Sequence, residues 1–166
     1  HEIQPTSKTA TGIAKMYISV KNDYETAITY YDQAISLEQD PTELSNLYYT
    51  GALIQYQLKQ QNKARTYLNN AISNNANNGH ILMAQLYAAN YKWHSDDAMS
   101  RCAYFAVIDK LEHAKRVDST VTDKANELIA QYKKSCPTTE DLFMYGLKKG
   151  DTVEIKGWIN VTTTIR

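Results

Sequence analysis

Apolar side chains recur three and four residues apart along most of this chain, the spacing that stripes one face of an α-helix. Ile13, Tyr17 and Val20 predict a first helix over about residues 6–20. Asn22-Asp23 makes a turn, and Tyr24, Ala27, Ile28, Tyr31, Ala34 and Ile35 stripe a second helix. Asp40-Pro41-Thr42-Glu43 then reads as a helix start: Asp40 caps, Pro41 fits the first turn, and Glu43 stands where a capping box needs it. A third helix runs to about Lys59 and a fourth from Asn62 to about Asn74. The polar run from Asn74 to Gly79 is a break between units, too short for a domain linker. A fifth helix covers about 80–92, with Ile81, Ala84, Leu86 and Tyr87. After an enlarged turn over Lys92–Asp97 comes a sixth, striped by Tyr104, Val107, Ile108, Leu111 and Ala114. Thr120 and Asp123 open a seventh, with Val121, Ala125, Leu128, Ile129 and Tyr132 on one side, and Pro137 ends it.

Beyond Pro137 the period changes. Thr138 to Tyr145 reads as a short capped helix stopped by Gly146. After the turn Lys148-Lys149-Gly150-Asp151, residues 152–156 alternate polar and apolar as a half-buried strand does. Ile159, Val161, Thr163 and Ile165 repeat the alternation after Gly157-Trp158. A lone hairpin is marginal in water, so its apolar face is expected on the final helices. Trp158 is the expected anchor, buried against the seventh helix near Leu128 and Tyr132.

The segment from Ala27 to Ser36 recurs 37 residues later, from Ala64 to Ser73, with six of ten positions identical. Upstream, Ala14 keeps register with Gly51. A period of this length means one helix pair is being stacked, each pair burying what its neighbour exposes. Ala14 and Gly51 let the helices of each pair approach, as do Ala27/Ala34 and Ala64/Ala71 on the second helices. Tyr31 and Leu68 fill the space toward the next pair. This pattern resembles the tetratricopeptide repeat, whose small-aromatic and Ala-aromatic-Ala positions are matched by Ala14, Tyr17, Tyr24, Ala27, Tyr31 and Ala34, and again by Ala84, Tyr87, Tyr104, Leu111 and Ala114. The spacing from small residue to alanine is thirteen, one longer than the usual repeat, so each turn should be enlarged. The third unit has Val107 in place of the first alanine.

The expected fold is therefore all-α: a right-handed superhelix of antiparallel helix pairs with a short C-terminal β-hairpin. Units fall at about 5–40, 41–78 and 79–118, with a capping helix over 120–136. Residues 1–137 form the repeats and 138–166 the short helix and hairpin cap. The C-terminal half, from Leu86-Tyr87-Ala88 through Tyr145-Gly146-Leu147 to Gly157-Trp158-Ile159 and Thr163-Thr164-Ile165-Arg166, resembles the tail of uncharacterised tetratricopeptide proteins from Bacteroidetes. That resemblance implies a larger parent with upstream repeats of the same chain, and export to the periplasm. It implies no catalytic activity.

Composition narrows the partners. Eighteen basic and eighteen acidic side chains cancel, so no net field draws the chain to nucleic acid or anionic lipid. No apolar run approaches the roughly 20 residues of a membrane span. The chain opens at His1 without a signal peptide, as a processed chain or a piece of a longer one would.

Candidate chemistry is sparse. His94-Ser95-Asp96-Asp97 alone gathers metal-ligand residue types, but no second His or Cys stands at zinc spacing, and a polar turn capping the sixth helix is the expected reading. His80 and His113 are single histidines on helices. No nucleophile elbow, zinc-protease or phosphate-loop motif is present. Neither an enzyme, a metal site nor a cofactor is expected. Cys102 and Cys136 sit at matching heights on antiparallel helices but at different phases, so two free thiols are expected rather than a bridge.

The resemblance places peptide binding on the first helix of each pair. The lining residues expected there are Thr11, Lys15 and Ile18; Tyr48, Ala52 and Gln55; and Ile81, Gln85 and Ala88. A Lys/Asn clamp for a carboxylate, used by chaperone-binding members, is absent because only Lys15 could serve. The expectation is a non-enzymatic scaffold holding a protein or peptide partner in a mixed, tyrosine-bearing groove. The alternative is a structural cap of a longer solenoid, with a groove that meets only its own chain.

Overall fold

The computed structural model describes residues 5–74 and 79–166. The expected polar break at 74–79 therefore lies mostly outside the described residues. The chain divides into two compact units, His1–Gly79 and His80–Arg166. Its architecture is that of paired α-helices in the tetratricopeptide manner, closed by a two-stranded antiparallel sheet.

In the first unit, α1 (Ser7–Lys21) pairs with α2 (Tyr24–Leu37), and α3 (Pro41–Gln57) with α4 (Gln61–Ser73). Thr6 starts α1 through a capping box with Thr9, and Asn22 ends it in the left-handed region at φ 52°. Asp23 then caps α2 by accepting the Thr26 N–H at 2.9 Å. Two residues thus close one helix and open the next, which forces the pair antiparallel. Ala14, Ala27 and Ala34 are fully buried where α1 and α2 meet, and Tyr31 fills the core with Ile28, Leu47 and Ile54. Asp40 caps α3 as its position predicts, accepting the Glu43 N–H at 2.9 Å. The reciprocal bond is not made by Glu43. Glu38 reaches forward instead, and its Oε1 accepts the Asp40 N–H at 3.1 Å.

Gly51 shows why the small position recurs. A Cβ built there would lie 2.5 Å from the Tyr67 ring. Tyr67 crosses the gap this leaves, and its hydroxyl donates to Asp32 of α2.

The second unit begins with α5 (Gly79–Ala89). The predicted sixth helix is two: α6 (Asp97–Arg101) and α7 (Ala103–Val117), parted at Cys102. Neither Pro nor Gly marks the break. Tertiary bonds hold it: the Ser100 hydroxyl donates to the His94 carbonyl at 2.8 Å, and the Arg101 guanidinium to the Cys136 carbonyl at 3.3 Å. A single 3₁₀ turn (Ser119–Val121) precedes α8 (Thr122–Lys133). This helix stops short of Pro137, its last turn tightened by i→i+3 bonds at Ser135 and Cys136. Then α9 (Thr139–Phe143) is opened by a capping box between Thr138 and Asp141.

β1 (Thr152–Ile155) pairs antiparallel with β2 (Val161–Thr164), Val153 opposite Thr163. Gly150, at φ 96°, enters the ladder as a bulge: its N–H donates to the Ile165 carbonyl while the Ile165 N–H donates to that of Asp151. Val153, Ile155, Ile159 and Ile165 are buried. Ile159 lies in the turn, outside the second strand predicted for it.

The hairpin's helical partner corrects the expectation. β2 packs on α7, not on the seventh helix of the prediction, which is α8. Trp158 is half-buried, and its ring stands edge-on to Tyr87 of α5, centroids 6.1 Å apart. Tyr132 of α8 instead stacks on Tyr104, which also stacks on Tyr91.

Candidate functional site

α1 and α3 are the first helices of consecutive pairs, and a cleft of about 280 Å³ opens beside them. Lys8, Thr11, Gly12 and Lys15 recur at helical spacing on α1 and face it, joined by Glu38 from the α2–α3 turn and by Glu43 and Leu47 from α3. Gly12 is exposed along this lining, and a Cβ built there meets nothing within 4 Å. The Glu38 carboxyl is held below its ordinary range, first by the Asp40 backbone N–H, then by the Ser7 hydroxyl and the Gln39 N–H, with a further contribution from the Lys8 charge. Two ammonium groups, two carboxylates and two hydroxyls thus surround exposed helix backbone. Such a lining can exchange hydrogen bonds and ion pairs with an extended polar chain.

Of the nine residues expected to line a groove, the cleft brings together Thr11 and Lys15. Ile18 is half-buried against the unit's core. Tyr48 is half-buried too, edge-on to Tyr67 at 5.9 Å. Ala52 is 0% and Gln55 4% exposed; the Gln55 side chain hydrogen-bonds Tyr67 and edges a separate cleft with Ile28 and Leu58. On α5, in the second unit, Gln85 is exposed while Ile81 and Ala88 are half-buried. Ser7, Lys8, Gly12, Glu38, Glu43 and Leu47 were missed. A glycine inside a helix that needs no close approach was the available signal for Gly12. Glu38 and Glu43 reach the cleft only through the path of the α2–α3 turn.

The His94 cluster is committed to local structure. Asp96 caps α6 by accepting the Met99 N–H at 3.0 Å, His94 Nδ1 accepts the Asp96 N–H at 3.0 Å, and Asp97 pairs with Arg101 at 3.2 Å. Cys102 and Cys136 are both free thiols, each pushed up to about 11 by burial.

Among the described residues no helix is long and apolar enough to cross a membrane. Residues 12–41 match the model of the tetratricopeptide repeat family, a span covering most of α1 and all of α2. No curated protein matches the chain.

Proposed function

We propose that this chain is a non-enzymatic protein-interaction module that holds an extended segment of a partner protein in the cleft beside α1 and α3. The observation that carries the reading is Gly12: one face of α1 stays open at backbone level, flanked by side chains of both charges. The match of α1 and α2 to a repeat that generally mediates protein–protein contact supports it. Export to the periplasm belongs to the same proposal, resting on the likeness of the C-terminal half to Bacteroidetes tetratricopeptide proteins.

A photocrosslinking residue at position 12 tests the cleft in the producing cell. A discrete protein adduct that Lys15→Glu abolishes, and that the same crosslinker at Thr29 on the far helix does not give, is the expected result. Equal adducts from both positions sink the reading.

A second reading has its own observation. Ile13, Met16 and Val20 stripe α1 and remain 38%, 47% and 75% exposed. Further repeats of the same chain packed on that stripe would make this segment the structural cap of a longer solenoid. Adducts from position 12 that map to the chain itself favour this reading.

A further inference from the structure

The second unit carries a feature that the cleft does not use: one edge of β1 is unpaired. The bulge at Gly150 and the Asp151–Ile165 bond set the phase of the ladder, so Val153 and Ile155 direct their backbone N–H and C=O groups to β2. Thr152 and Glu154 direct theirs the other way. Among the described residues, no backbone or side-chain hydrogen bond satisfies them. Their side chains are exposed, so water or another strand is the available partner.

Beside this edge lies a second, open pocket of about 370 Å³, its apolar part formed by Trp93, Met99, Leu147 and Val153 and its rim by His94, Thr152, Glu154 and Lys156. The apolar part is large enough for one bulky aliphatic side chain. The Trp93 indole Nε1 is buried and has no acceptor among the described residues. A buried N–H without an acceptor costs free energy, so the indole is sensitive to any rearrangement of the pocket wall it belongs to. At the outer end of the edge, Glu154 and Lys156 are exposed and form no ion pair among the described residues.

We propose that β1 accepts one extended strand of a partner protein, running antiparallel to it on its free edge. Strand addition of this kind takes its affinity from main-chain bonds and its selectivity from alternate side chains. The register dictates the chemistry of the guest. Residues opposite Lys156 and Glu154 share the solvent face and carry an acid and a base respectively. The residue opposite Val153 turns inward and places an aliphatic side chain against Trp93, Met99 and Leu147. The guest therefore follows the pattern Glu-Val-Lys-Leu-Thr. This surface lies apart from the proposed cleft, and each can fail without the other.

The test is a titration of the full ¹⁵N-labelled chain with the acetylated, amidated peptide Glu-Val-Lys-Leu-Thr. The Thr152 and Glu154 amides and the Trp93 indole should shift in a saturable way. Methylating the peptide's Lys and Thr nitrogens removes its two donors to the edge, and should weaken binding by about tenfold or more. Trp93→Ala should weaken it similarly. Because that variant can fail to fold, the methylated peptide against the unaltered chain stands as the independent measurement. The proposal is overturned if the methylated peptide binds equally well, or if no shift reaches Thr152 and Glu154 at about 10 mM peptide. Tighter binding of the reversed sequence Thr-Leu-Lys-Val-Glu overturns the antiparallel register. Dimerisation of the peptide-free chain that Thr152→Pro abolishes overturns the guest in favour of a second copy.

Discussion

Single residues here show how the same amino acid takes opposite roles. Gly12 and Gly51 both sit inside helices, where glycine costs backbone entropy. At Gly12 a methyl group meets open space, so Gly12→Ala should stabilise the chain by about 0.5–1 kcal/mol, read as a higher denaturation midpoint. At Gly51 the same methyl group falls 2.5 Å from the Tyr67 ring, whose hydroxyl is anchored to Asp32. Gly51→Ala should therefore cost about 1–3 kcal/mol. Equal effects at the two sites would refute this account of the repeat's small position. His80 offers a pH dependence. Its ring stands edge-on to His113 at 4.5 Å, and its pKa is lowered from 6.5 to about 4 by burial first, then by the charges of His113 and Lys110. Between those values the unfolded chain binds a proton that the folded chain refuses, so stability is lost as pH falls through that window. Thermal melts at pH 7 and pH 4.5 should separate, and His80→Leu should narrow the difference. A gap of unchanged size would assign the effect to other groups.

At the scale of elements, the join between hairpin and helix is the informative one. The buried Thr163 hydroxyl donates to Asp109 Oδ2 of α7 at 2.6 Å, and Arg166 pairs with the other carboxylate oxygen. One acidic residue thus holds both β2 and the residues that follow it. Asp109→Ala leaves the Thr163 hydroxyl buried without this acceptor and should cost about 1–3 kcal/mol. Amide exchange should rise in 161–165 before it rises in α7. Uniform loosening of the whole second unit would show that the hairpin does not open separately. None of this was visible in the alternation of the strand, which marks an apolar face but not the helix that receives it. The split between α6 and α7 was hidden for the same reason, because the bonds made by Ser100 and Arg101 reach residues 6 and 35 positions away.

For the whole molecule, the hairpin closes an apolar helix face. Phe105, Val107, Ile108 and Leu111 of α7 are buried in the intact chain. Removing residues 148–166 should uncover part of that helix, because β2 packs on it. Concentration-dependent association in sedimentation, with increased binding of an apolar dye, is the expected outcome. A truncated chain that stays monomeric and melts unchanged would make the hairpin an appendage.

Most helices, and the antiparallel pairing of α1 with α2 and of α3 with α4, were legible because they depend on local rules: apolar period, the cap at Asp40, and small residues repeating at a fixed interval. These signals act within a few residues or recur in register, so a linear reading recovers them. The site was legible only in part. Thr11 and Lys15 follow from the face of α1, but Gln55 is buried and hydrogen-bonds Tyr67, and Glu38 was delivered to the cleft by a turn. The helix that receives the hairpin and the free edge of β1 were likewise decided by tertiary structure. Burial and backbone pairing are properties of what arrives from elsewhere in the chain, and no local pattern encodes the arrival.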